Sequence, residues 1–131
     1  MEIRVDVEQI SESTSRGQAR EHNVLCDRPQ AKGGEDAGPM GGELFLIGLG
    51  GCFMSNLLAA AKAREIVAQD FKVAITAQLE GTPPRFTEVN MAVSADYPDR
   101  QEVEKLSVIA ERGCIVANTI KDAVALTITV A

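Results

Sequence analysis

The sequence predicts an α+β domain, a mostly antiparallel sheet with a buried apolar helix at its centre. Three observations carry this. Apolar and polar residues alternate with period two near both ends of the chain and again between Phe71 and Ala95. Between the first two alternating regions, Leu44 to Ala61 is an eighteen-residue span with no charged side chain. After Pro98, the residues Val103, Leu106, Ile109 and Ala110 recur at helical spacing.

Taken in order, residues 2–10 set Ile3, Val5 and Val7 against Glu2, Arg4, Asp6 and Glu8, the pattern of a half-buried strand. Ser11 to Gly17 reads as a polar turn, and a second strand is expected over 18–27 with His22, Val24 and Cys26 on one face. Pro29 to Gly42, with five Gly and two Pro, is a loop long enough to cover a site. The central helix then runs from about Gly41 to near Ile66. Its length alone would suit a membrane span. Its richness in Gly and Ala and its strand-like flanks argue instead for burial in a core or a subunit interface. A strand from Phe71 to Glu80, a turn at Gly81–Pro84 and a hairpin partner from Phe86 to Ala95 follow. A helix opened by Pro98 and closed by Gly113 comes next, then a short piece from Cys114 to Ile120 and a last strand through Val124, Leu126, Ile128 and Val130. The order ββ-α-ββ-α-β places both helices on one face of one sheet. Two helices are a thin cover for so apolar a central segment, so a second subunit is expected to supply the rest.

At 131 residues the chain is read as a single domain, 1–131. A formal charge of −6 disfavours nucleic acid and acidic membranes as partners, and the absence of Trp leaves little for base stacking. The polar, alternating N-terminus is unlike a secretory signal. Three cysteines, at 26, 52 and 114, form no disulfide framework and point to the cytoplasm. No cofactor is expected. His22 and Cys26 share a strand face, but no further His exists to complete a metal site. The glycines of 33–42 fit neither phosphate-binding fingerprint, and Asp27 and Asp36 read as turn residues.

The thiols are the chemically informative residues. Cys52 follows Gly50-Gly51 and Cys114 follows Gly113, and each precedes an apolar helical segment. A buried cysteine is commonly just a small hydrophobe. A helix break at the glycines would put Cys52 in the first turn of a new helix, where amide N–H groups favour thiolate. Two thiols at helix starts can meet across a pocket, although a separation of 62 residues does not by itself bring them together.

Three runs carry a resemblance to a known family. They are Arg20 to Pro29 (Arg-Glu-His-Asn-Val-Leu-Cys-Asp-Arg-Pro), Gly33 to Pro39 continuing through Gly42-Glu43-Leu44 to Gly51-Cys52, and Gly113 to Ile120 (Gly-Cys-Ile-Val-Ala-Asn-Thr-Ile). Together they resemble the OsmC/Ohr family over nearly the whole chain. The resemblance implies an intertwined homodimer with its long central helices buried between subunits. It also implies a thiol peroxidase acting on organic hydroperoxides and recycled by a dithiol reductant. Cys52 matches that family's peroxidatic cysteine and Cys114 its resolving cysteine. The family's active-site Arg comes from the strand region before the helix, which leaves Arg20, within the matching segment, or Arg16. The peroxidase branches carry a Pro-Glu pair where Gly41 and Gly42 stand here, so Glu43 is the nearest carboxylate to take the acidic role. Ile115 replaces a proline that commonly follows the second cysteine. Phe45, Leu49, Phe53 and Met54 are available to line an apolar substrate pocket. The alternative reading is an OsmC-like domain that binds a small ligand or senses redox state without catalysis.

Overall fold

The computed structural model describes all residues, 1–131. It is a mixed α+β structure whose chain divides into two compact units, residues 1–47 and 48–131. The first holds three antiparallel strands, β1 (Asp6–Gln9), β2 (Ser15–Ala19) and β3 (His22–Cys26), in the order β1-β2-β3. The second holds β4 (Gln69–Glu80), β5 (Arg85–Asp96) and β6 (Ala125–Val130) in that order, with α2 (Arg100–Gly113) and α3 (Ile115–Ile120) between β5 and β6. The long helix α1 (Gly41–Ala63) begins in the first unit and continues into the second.

Three expectations are corrected. There are two three-stranded sheets rather than one, and within the second β5 and β6 run parallel, a pairing that needs a long crossover such as the one α2 and α3 make. The strand expected over 18–27 is two strands folded back at Arg20-Glu21, pairing Ala19 with His22. Arg20 supplies the positive φ, +55°, that a two-residue hairpin needs. No Gly or Asn marks that turn, so the residues give no signal of it. Residues 2–5, read as part of the first strand, lie outside β1, and Ile3, Val5 and Val7 are exposed rather than half-buried.

The loop from 27 to 39 is organised by Asp27, which is buried. Its carboxylate accepts from the N–H groups of Arg28 (2.7 Å), Ala37 (3.1 Å) and Glu35 (3.2 Å) and from the Thr14 hydroxyl (2.9 Å). The chain closes tightly around these bonds. A Cβ on Gly34 would stand 2.0 Å from the Arg28 carbonyl oxygen, and one on Gly38 would stand 2.4 Å from that of Leu25. Burial disfavours the charged form of Asp27, but the amides of Ala37 and Arg28 and the hydroxyls of Thr14 and Ser13 outweigh it, holding the carboxyl well below its usual range. A depressed carboxyl stabilises the fold above its unfolded value, near pH 4, and loses that contribution as pH falls. Asp27→Asn should therefore unfold at lower urea than the unsubstituted protein at pH 7. Unfolding curves at pH 7 and pH 3 should show the gap narrowing at the acid end.

In the second unit the β4–β5 hairpin follows the alternation closely, with Val89, Met91 and Val93 fully buried. Asp99 caps α2 by accepting from Gln101 and Glu102 N–H, and Val103, Leu106, Ser107 and Ala110 face inward. Ile109, assigned to the same stripe, is on the exposed side. Helix α1 is unbroken through Gly50-Gly51, so the glycines do not restart it. Gly50 lies against β4, where a Cβ would stand 2.6 Å from the Ile75 Cδ1. By length and composition α1 is able to cross a membrane. Within the chain, however, it buries a single stripe, Leu49, Phe53, Leu57 and Ala61, at successive steps of four. Ile47 and Leu58 are exposed, so the chain's own elements cover only part of the helix, as the thin cover of one sheet and two helices leads one to expect.

Candidate functional site

The second unit brings Cys52 and Cys114 together. Cys52 stands in the fourth turn of α1, half-buried, and Cys114 is fully buried at the joint where α2 ends and α3 begins. The joint forms because Gly113 closes α2 and Cys114 adopts an extended conformation (φ −79°, ψ 108°) before α3 starts. Cys114 serves as the N-cap residue of α3, its sulfur accepting from the Ala117 N–H at 3.4 Å. Asn118 Nδ2 donates to the Arg112 carbonyl at 3.1 Å and so ties α3 back to the end of α2.

Two more amides at the start of α3 point at Cys52. Burial pushes the Cys52 thiol up, but the Val116 N–H, the Cys114 thiol and the Ile115 N–H together bring it below its ordinary value. The Cys114 thiol moves the other way. Burial raises it first, and contact with the Cys52 sulfur and its charge raises it further, against the Ala117 and Val116 amides. The two shifts are opposite in direction: of the pair, Cys52 is the thiol whose ionised form is favoured, and Cys114 is the S–H that donates toward it. The sequence pointed to a helix start as the activating element for Cys52. That element is α3, not a new segment of α1, and its amides reach across from the other cysteine's helix. The amides of Ile115 and Val116 were missed because backbone groups leave no residue signature, although the Gly113-Cys114 boundary marks where such a helix begins.

The other candidates belong to the first unit. Arg20 sits exposed at the β2–β3 turn, and Arg16, on β2, pairs with Glu8. Glu43 lies in the first turn of α1, where its Oε1 accepts the Met40 N–H at 2.9 Å, a helix-capping bond. No ion pair joins Glu43 to either arginine. Cys26 ends β3, its sulfur 3.9 Å from where a Cβ on Gly41 would stand. Of the apolar residues proposed for a pocket, Leu49 and Phe53 are fully buried core residues and Met54 is half-buried. Leu49 and Phe53 face the core because they sit on the helix's inward stripe, whereas Phe45 is exposed. No group of three or more His, Cys, Asp or Glu side chains is gathered as metal ligands require.

The model of the family described as OsmC-like protein matches residues 33–129, a span that includes both cysteines. The chain belongs to the OsmC-like family. Solved structures agree on the fold. An OsmC-like protein from Mycoplasma pneumoniae superposes with a TM-score of 0.86 at 15% identity, covering 100% of this chain and 96% of that one. The organic hydroperoxide resistance protein OsmC from Legionella pneumophila, also described as a predicted redox protein, gives 0.76 at 21% identity, covering 100% and 97%. The organic hydroperoxide resistance protein OhrB of Bacillus subtilis gives 0.73 at 17%, covering 100% and 98%. No curated protein matches the chain. This OsmC-like chain thus shares its fold with hydroperoxide resistance proteins at identities that speak for fold alone.

Proposed function

We propose that this chain is a two-cysteine peroxidase that reduces organic hydroperoxides to alcohols and is restored by a dithiol. Supporting it are two neighbouring thiols shifted in opposite directions, the more accessible Cys52 toward easier ionisation and the buried Cys114 away from it. A peroxide oxygen bonds to the Cys52 sulfur as the O–O bond breaks, and the departing alkoxide takes a proton to leave as alcohol. The Cys52 sulfur is oxidised to sulfenic acid. Its negative charge is then gone, and with it one of the influences that kept Cys114 protonated. Cys114 attacks, water leaves, and a Cys52–Cys114 disulfide remains for the dithiol to reduce. The opposite shifts of the two thiols support this order of events. Arg20 or Arg16, and Glu43, are the proposed charged members of the site.

Oxidation of Cys52 by cumene hydroperoxide, followed by stopped flow with a dithiol present, tests this. The rate should rise with pH and level off below the ordinary thiol value of about 8.5. A rate that keeps climbing through pH 9 would mean an ordinary thiol and would contradict the reading. A protein inert to the peroxide would leave the ligand-binding or redox-sensing domain as the better account.

The working form is proposed to be a homodimer in the reducing cytoplasm. Supporting this, Ile47 and Leu58 on α1 are 58% and 49% exposed, and Val5, Val7, Val24 and Leu44 border an apolar hollow of about 410 Å³ in the first unit. Leu58→Lys should shift the protein to monomer in sedimentation velocity, with the fold retained. Leu57, one residue earlier, is fully buried within its own chain, so Leu57→Lys should prevent soluble expression in any oligomeric state.

A further inference from the structure

We propose that Asn56 belongs to the reacting centre, its carboxamide donating a hydrogen bond to the oxygen atom that a peroxide leaves on the Cys52 sulfur. The inference rests on the peroxidase reading and extends it. Between Leu44 and Ala61 the only polar side chains besides the thiol are Ser55 and Asn56. Asn56 is half-buried with its amide still open to solvent, so its N–H is available to an incoming group. Asn56 makes no hydrogen bond within the chain; instead its carboxamide lies against Gly113, the residue before Cys114. The Cγ, Oδ1 and Nδ2 atoms stand 3.6, 3.6 and 3.7 Å from the position of a Cβ on that glycine.

Asn56 is four residues beyond Cys52 on an unbroken helix, so the two share a face with Cβ atoms about 5–6 Å apart. Helical side chains lean toward the N-terminus, which carries the Asn56 amide back over the turn that holds Cys52. The amide is therefore confined between the attacking cysteine's turn and the backbone leading to the resolving one. The resting sulfur already receives the Val116, Cys114 and Ile115 donors. Attack adds an oxygen with lone pairs of its own, and the unspent N–H of Asn56 is the donor placed for it. Being uncharged, it does this without competing for the Cys52 proton.

The test compares two reactions of Cys52, oxidation by cumene hydroperoxide and alkylation by iodoacetamide. Only the first places oxygen on the sulfur. Asn56→Leu should slow oxidation about 10- to 100-fold, at or just below the range for a lost oxyanion donor. Alkylation should change by less than about twofold, because thiolate and access are retained. Asn56→Gln, which keeps the carboxamide, should recover part of the oxidation rate. Asn56→Ala repeats the comparison without added apolar bulk. Equal oxidation rates in Asn56→Leu, Asn56→Ala and the unsubstituted protein would overturn the inference. So would a parallel fall in both reactions, which indicates only a loosened helix joint. Absence of oxidation in the unsubstituted protein would instead remove the peroxidase reading, and this inference with it.

Discussion

Cys52→Ser is expected to reduce peroxide consumption to background, a loss of more than about 10³-fold, as for other nucleophile deletions. The serine hydroxyl would keep the Val116 and Ile115 amides and the Cys114 thiol as donors, but three hydrogen bonds cannot ionise an alcohol at neutral pH. The fold should survive the change, since Cys52 is only half-buried and oxygen and sulfur differ little in size. Circular dichroism would therefore be unchanged while a ferrous–xylenol orange assay records no loss of cumene hydroperoxide.

Cys114→Ser is expected to separate the first half-reaction from the second. One equivalent of peroxide should disappear per site and turnover should then stop, because no second thiol condenses with the sulfenic acid. Dimedone should trap that species on Cys52, and excess peroxide should carry it on to sulfinic acid. Cys114→Ala should differ from Cys114→Ser in a measurable way. Serine retains a donor beside the Cys52 sulfur, whereas alanine removes one of the groups that lower its thiol, so the burst should be slower at pH 6 in the alanine variant. The comparison isolates the side chain's electrostatic contribution from its later chemical one.

Much of this was legible in the residues. The β4–β5 hairpin, α2 and β6 follow period-two and helical spacing to within a few residues, because each has one face against a core in its own unit. The N-terminal strands were misread for the opposite reason. They bury little in their own chain, their exposed Val and Ile carry alternation without a core to match it, and the hairpin turn at Arg20 uses residues with no turn signature. Helix α1 is legible as one long apolar element, and the break its glycines would permit does not occur: the helix is continuous and Gly50 admits the Ile75 side chain of β4. For the site, the cysteines stood out by their glycine neighbours, and the motif resemblance paired them. What remained hidden is the part made of backbone. Which amides face a sulfur depends on how the Gly113–Cys114 joint is set against α1, and no residue type records that.

The central claim is that Cys52 and Cys114 act as one redox pair while Cys26 stands apart. One equivalent of cumene hydroperoxide added to the reduced protein, followed by acid quench, non-reducing digestion and mass spectrometry, addresses it directly. The account predicts a loss of two hydrogens per chain, found wholly in a peptide linking Cys52 to Cys114, with Cys26 recovered as free thiol. A disulfide that includes Cys26, or three intact thiols beside unspent peroxide, would contradict it.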